Sequence, residues 1–198
     1  MVLYFALSYI EEYQIAQKSK APPSLTSPSR STTTSDAPWL NPPSGKLKLN
    51  TDAAVDKSNQ RTSCGAVLRN SNGDIVAAFS KSIPGVFRPE IMEALALVNA
   101  LKWLIDNQWT AHILETDSFL VVKDLHASIA TVSDFHCLLS DITHLVSNFP
   151  RVQISHVYRS ANTAAHLLAK YALSVDSVCF WLEEIPPPLN AYCINMDD

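Results

Sequence analysis

The spacing of apolar side chains divides this chain of 198 residues near position 45. Before that point, Leu3, Leu7, Ile10 and Tyr13 recur at helical spacing around Glu11, Glu12 and Gln14, which predicts an amphipathic helix within residues 1–20. Residues 21–45 lose the period. Ala21-Pro22-Pro23-Ser24 and the Ser/Thr/Pro run from Ser27 to Ser35 are too poor in apolar groups to fold alone, so they read as a linker. Trp39 is placed to pack onto the domain that follows.

From residue 46 to 172 the pattern is that of a folded domain. Leu47 and Leu49 alternate with Lys46, Lys48 and Asn50, the signature of a half-buried strand over 46–53. Further strands are expected at 64–70 and 75–83, antiparallel and joined by the turn Ser71-Asn72-Gly73-Asp74. Pro89 opens a helix to Asp106, with Pro in its first turn and an apolar arc of Ile91, Ala94, Leu97, Val98, Leu101, Leu104 and Ile105. A strand at 112–115, helices at 119–127 and 134–148, a strand at 152–158 and a helix at 162–172 complete the domain. Residues 173–198, with Trp181 and Pro186-Pro187-Pro188, read as a tail packed on its surface. The order βββαβααβα implies an α/β fold: a mixed five-stranded sheet with helices on both faces.

Composition narrows the function classes. A net charge of −4 argues against a strongly basic nucleic-acid binder. The four cysteines form no CxxC pair, which excludes zinc ribbons and thioredoxin-like chemistry and suits a reducing compartment. No P-loop or GxGxxG is present. The apolar start Met1–Leu7 lacks a basic region and runs into Glu11-Glu12, so no signal peptide is expected, and no stretch is long enough to span a membrane. The expectation is an intracellular monomer, nuclear or cytoplasmic.

Three acids carry the candidate chemistry: Asp52 at the end of the first strand, Glu93 in the first long helix, Asp117 at the end of the fourth strand. A right-handed crossover through the Glu93 helix would set strand four beside strand one and bring the two strand-end carboxylates together. On the helical wheel Glu93 falls at the edge of the apolar arc, with room left by Ala96 and Ala100. Such carboxylates repel unless a hard cation joins them, and all-oxygen donors suit Mg²⁺, with Mn²⁺ as the alternative. Two ions about 3.5–4 Å apart would serve phosphodiester hydrolysis. Blander readings stand beside this. Asp117 with Ser118 also suits a helix N-terminus. His166 shares a polar helix face with Asn162 and Lys170, as a solvated histidine would, and His156 reads as a partly buried structural histidine. Glu90 and Glu115 fall on other faces and read as structural.

Asn50, Ser118 and Asn162 are the candidate substrate contacts, as hydrogen-bond donors near the acids. Lys46, Lys48, Lys57, Arg61, Arg69 and Lys81 give the first three strands a basic excess that could track phosphates, or could be ordinary solvated strand residues. No basic motif is interleaved with aromatics, so sequence-specific readout is not expected.

Five stretches together resemble a known family: Trp39-x-x-Pro42-Pro43-x-Gly45-x-Leu47-Lys48-Leu49-Asn50-x-Asp52-Ala53; Gly65-Ala66-Val67-Leu68-Arg69 with Gly73; Met92-Glu93-Ala94-Leu95-Ala96-Leu97; Leu114-Glu115-Thr116-Asp117-Ser118; and Arg159-x-x-Asn162-x-x-Ala165-His166-x-Leu168-Ala169. The chain resembles the ribonuclease H-like domain of plant non-LTR retroelement reverse transcriptases over about residues 38–190. The resemblance implies the ribonuclease H fold and metal-dependent cleavage of the RNA strand of an RNA–DNA hybrid. It also implies Asp52, Glu93 and Asp117 as metal ligands and catalytic residues. The family's fourth acid is His166 here, which the resemblance places in the ligand set with a weaker role. The family's Gly-rich, His-bearing loop before the last helix has no equivalent in Tyr158-Arg159-Ser160-Ala161. Two readings follow: a hybrid ribonuclease, retroelement-derived and weak, or a non-catalytic nucleic-acid-binding domain. A DEDD-type exonuclease fits less well, because its first motif carries paired acids and Asp52-Ala53-Ala54 has one.

Overall fold

The computed structural model describes residues 40–127 and 133–190. The expected helix within 1–20, most of the 21–45 linker including Trp39, and the last eight residues of the tail lie outside the described residues.

Three antiparallel strands open the domain: β1 (Lys48–Asp56), β2 (Arg61–Arg69) and β3 (Ile75–Pro84). Gly73 closes the β2–β3 turn with φ 94°, a left-handed conformation that glycine adopts without strain. Helix α1 (Pro89–Asp106) crosses back to β4 (Ile113–Thr116), which lies parallel to β1 with Asn50 opposite Glu115 and Thr51 opposite Thr116. That crossover sets Asp117, one residue past β4, beside Asp52. Helices α2 (Phe119–Ala127) and α3 (Asp134–Val146), strand β5 (Gln153–His156), a 3-10 turn (Arg159–Asn162) and helix α4 (Thr163–Ala172) follow.

Among the described residues the sheet has six strands, one more than the five expected. Cys179–Leu182, read from the sequence as part of a surface tail, is β6 and pairs antiparallel with β3. Only four residues long, β6 shows too little alternation to be told from a loop; it is a strand because β3 offers it an edge. The sheet order is β5-β4-β1-β2-β3-β6.

The core has two parts, one per face. Leu49, Ala66, Leu68, Ala77 and Phe79 meet Leu97, Leu101 and Leu104 of α1, with α3 packed behind through Phe135, Leu139 and Ile142. On the other face Val67 and Ala78 meet Ala164 and Leu168 of α4, sealed by Trp181 and Leu189. Helix α4 comes unusually close to β2. A Cβ at Gly65 would clash with the Ala169 backbone nitrogen and lie 2.5 Å from the Ala165 carbonyl oxygen. Ser63 Oγ donates to the Ala169 carbonyl at 2.6 Å, which fastens the same contact. Gly65 is the β-partner of Asp52, so this close approach is what brings the α4 side chains over the first acid.

Candidate metal centre

Alternate residues of β1 point to the α4 face, so Lys48, Asn50 and Asp52 form one line of polar side chains on that face of the sheet. All three are buried. Asp52 ends the line where the sheet meets α1 and the β4–α2 junction. Glu93 enters from the first turns of α1, and Asp117 from the residue after β4. One carboxylate oxygen from each of Asp52, Glu93 and Asp117 lies within 4.8 Å of the others. This cluster could hold a cation.

The electrostatics fit such a use. Asp52 Oδ1 and Glu93 Oε2 are buried with no hydrogen-bond partner among the described residues. Burial first, then the Asp117 charge, pushes the Asp52 carboxyl up to about 8. Burial and the charges of Asp52 and Asp117 push Glu93 up to about 9. Carboxylates so arranged are costly without a counter-charge, and hard oxygen donors at this spacing suit a divalent cation.

His166 is not a solvated surface residue. Its Nδ1 shares a 2.7 Å hydrogen bond with Asp52 Oδ2. Burial, then Arg159 and Lys170, lower its pKa. Both shifts favour the uncharged form of the Asp52–His166 pair. Arg159 caps the arrangement from solvent: its guanidinium lies 3.0 Å from His166 Nδ1 and 3.8 Å from Asp117 Oδ2. Sequence alone places Arg159 in a motif without pointing to a role for it. The signal was present in its spacing, seven residues before His166 across a 3-10 turn.

The other expected residues separate into two groups. Asn162 is at the site but buried: its amide donates to the Thr51 carbonyl at 2.8 Å and to Asp117 Oδ1 at 3.3 Å. It holds Asp117 against β1. Asn50 is fully buried, donating to Glu115 Oε2 at 2.9 Å and Asn162 Oδ1 at 3.3 Å, and accepting from Arg69 at 3.2 Å. Its position beneath the sheet surface suits bracing rather than substrate contact. Ser118 is half-buried, and its backbone N–H donates to Thr116 Oγ1.

Two of the expected phosphate-tracking cations are buried. Lys48 is buried in an ion pair with Glu115 at 2.6 Å and also donates to the Leu40 carbonyl. Arg69 is fully buried, bonded to Asn50 and Asn41. Alternation places both on a strand face but cannot say that Leu40 and Asn41 would bond to them there. Glu115 is structural as expected, yet for a different reason: it lies on the same strand face as Asp117, two residues earlier, and Lys48 neutralises it. Glu90 pairs with Arg88 at 3.2 Å. His156 is half-buried between Phe119 and Tyr158.

Similarity to known proteins agrees with this architecture. The halophilic archaeon Halobacterium salinarum NRC-1 has an RNase H1 whose crystal structure superposes with a TM-score of 0.59 at 30% identity, over 66% of this chain and 98% of that one. LC11-RNase H1, solved in complex with an RNA/DNA hybrid, shares the fold at a TM-score of 0.57 and 20% identity, over 65% of this chain and 97% of its own. An Arabidopsis thaliana protein named "Putative ribonuclease H protein" is 34% identical over 142 residues, 70% of this chain. The chain spans 22% of that relative's length. Among the described residues no helix is long and apolar enough to cross a membrane. The family model described as reverse transcriptase-like matches residues 50–172, the span that runs from the strand of Asp52 to the last turn of the helix of His166. The chain therefore belongs to the reverse transcriptase-like family and carries its ribonuclease H-like domain.

Proposed function

We propose that the domain is a metal-dependent ribonuclease that cleaves the RNA strand of an RNA–DNA hybrid. The observation that carries this reading is the meeting of Asp52, Glu93 and Asp117 within 4.8 Å, with two buried carboxylate oxygens that have no hydrogen-bond partner among the described residues. Similarity to ribonucleases H supports the substrate class. Asp52, Glu93 and Asp117 are the ligands in this reading, and Mg²⁺ or Mn²⁺ is the cation. A bound divalent ion supplies the positive charge that offsets the charge developing on a phosphodiester. Asn162 keeps the Asp117 carboxylate turned to the cluster. Arg159, largely exposed, offers its guanidinium to a substrate phosphate. His166 is a weak fourth ligand: an imidazole adds no negative charge and suits Mn²⁺ better than Mg²⁺. The active species is a monomer acting on nucleic acid in nucleus or cytoplasm, and the domain derives from a retroelement.

The test is incubation of the full chain with labelled hybrid and Mg²⁺ or Mn²⁺, beside Asp52→Asn. Cleavage of the RNA strand by the wild type and none by a folded Asp52→Asn protein is the expected result. Undiminished cleavage by that variant would remove Asp52 from the site.

A second reading has its own support. His166 and Arg159 already place imidazole and guanidinium groups against Asp52 and Asp117. These contacts favour a domain that binds nucleic acid and cuts it slowly or not at all. Hybrid binding without cleavage under both metals would select it.

A further inference from the structure

Beside the acidic cluster the fold assembles a feature that no stretch of sequence contains. Phe119 opens α2 two residues after Asp117. His156 ends β5, and Tyr158 follows it, next to Arg159. The three rings form a contiguous row: Phe119 meets His156 edge-on at 5.8 Å, and His156 meets Tyr158 at 6.0 Å and 71°. The row is held from both sides, because His126 of α2 reaches the Ile154 carbonyl of β5 and Val157 N–H donates to the Thr116 carbonyl. It is not a core element. Tyr158 is 66% exposed and Phe119 43% exposed. Single exposed apolar residues need no explanation, but a row of rings beside a candidate site does.

Cations flank the row at both ends. Arg159 follows Tyr158 in the chain and its guanidinium lies 3.8 Å from Asp117 Oδ2, and Lys123, exposed, stands one helical turn from Phe119 on the same face of α2. A row of rings with cations beside it suits unpaired nucleotides. Bases stack on the rings whatever their identity, and the cations track the phosphates. A paired hybrid alone offers the rings little, since its bases are already stacked on each other.

We infer that Phe119, His156 and Tyr158 form a stacking platform for unpaired nucleotides next to the hybrid, so that the domain prefers a hybrid with a single-stranded extension over a blunt one. This rests on the hybrid reading above. It adds a second contact surface, continuous with the first through Arg159, and narrows the substrate to hybrid–single-strand junctions.

The experiment is fluorescence anisotropy with the full chain in Ca²⁺, comparing a blunt RNA–DNA hybrid with hybrids extended on the RNA strand or on the DNA strand. The wild type should bind at least one extended hybrid more tightly than the blunt one. Tyr158→Ala should weaken binding of that extended hybrid about tenfold, the scale of one lost base–ring stack, and leave the blunt hybrid within about twofold. Tyr158→Phe should behave as wild type. Tyr158→Leu, which keeps apolar area without a ring, should behave as Tyr158→Ala, so lost packing cannot mimic the result. Phe119→Ala should give a separate loss on the same substrate. Equal affinity of the wild type for blunt and extended hybrids, or ring variants that bind the extended hybrid as the wild type does, would overturn the platform and leave a protein partner as the occupant of the row. Neither result touches the reading that the domain binds a hybrid, which fails if the blunt hybrid is neither bound nor cut.

Discussion

Two buried polar groups lie on the same face of β1, one strand period apart, and the protein treats them in opposite ways. At Lys48 and Asn50 every charge finds an internal partner: Lys48 with Glu115, Arg69 with Asn50 and Asn41, Asn50 with Glu115. At Asp52, two residues further along, three acids converge and two buried oxygens have no hydrogen-bond partner among the described residues. Opposite charges brought together on a sheet face make a closed structural network. Like charges brought together make an open one, whose cost falls only when a cation arrives. Burial of charge therefore does not mark the site in this protein; uncompensated burial does.

The largest expected effect breaks the open side. Asp52→Asn removes one ligand and one of three mutually repelling charges. Metal-dependent cleavage should fall below detection, while the melting temperature of the metal-free domain at pH 8 should rise rather than fall. A lower melting temperature would mean that Asp52 is a structural acid like Glu115.

Next comes the closed side. Glu115→Gln leaves the Lys48 ammonium buried without its counter-charge and should cost about 3 kcal/mol in chemical denaturation. Added divalent metal should not restore the loss. A neutral substitution here would erase the distinction between the two groups.

Gly65→Ala tests what joins them. The new methyl has no room against the α4 backbone, so the helix must shift, at a cost of about 2–3 kcal/mol. Because Asn162 and His166 ride on that helix or its entrance, metal affinity should also fall, read by titrating Mn²⁺ against the variant.

The pH dependence sharpens the comparison in solution. Folding raises Asp52 to about 8 and Glu93 to about 9 from ordinary values of 3.8 and 4.5. The folded state thus holds more protons than the unfolded state between these values. The stability this contributes is fully present below about pH 4 and is lost as pH rises through 8 to 9. Melting temperature in a chelator should decline across that window, and saturating Mg²⁺ should flatten the decline. A profile that stays flat in chelator would contradict the buried, mutually repelling acids.

The smallest effect concerns His166. His166→Ala frees Asp52 Oδ2 and should change the initial cleavage rate only modestly. His166→Asp should raise the rate at limiting Mg²⁺ by adding charge to the cluster. If the alanine variant is inactive and the aspartate variant gains nothing, the imidazole has a specific part in proton transfer.

Much of this architecture can be read directly from residue spacing. The helix Pro89–Asp106 was expected at the bounds observed, because Pro at its start and a continuous apolar arc mark both its place and its buried side. The position of Glu93 on the rim of that arc follows from the same periodicity. Asp52 and Asp117 could be brought together in advance because a crossover of one hand leaves strand four a single place beside strand one. These are short-range or topological facts, and they depend on residue type and order alone.

What the tertiary structure alone decided concerns which polar groups meet. Lys48 and Arg69 look like surface cations in sequence, and only their contacts with Glu115, Asn50 and the segment Leu40-Asn41 show that they are buried. Alternation along a strand says that two sides differ; it does not say which layer covers each. His166 reads as solvated from its helix neighbours, yet the close seating of α4 on Gly65 sets it against Asp52. Cys179–Leu182 becomes a strand only because β3 has an unfilled edge. The row of Phe119, His156 and Tyr158 draws on two elements separated by a helix, and ring contacts across such a gap leave no periodic trace in the chain. Local pattern fixes how each segment folds; the pairing of charges and rings between segments depends on distances that exist only once the sheet and its helices have closed.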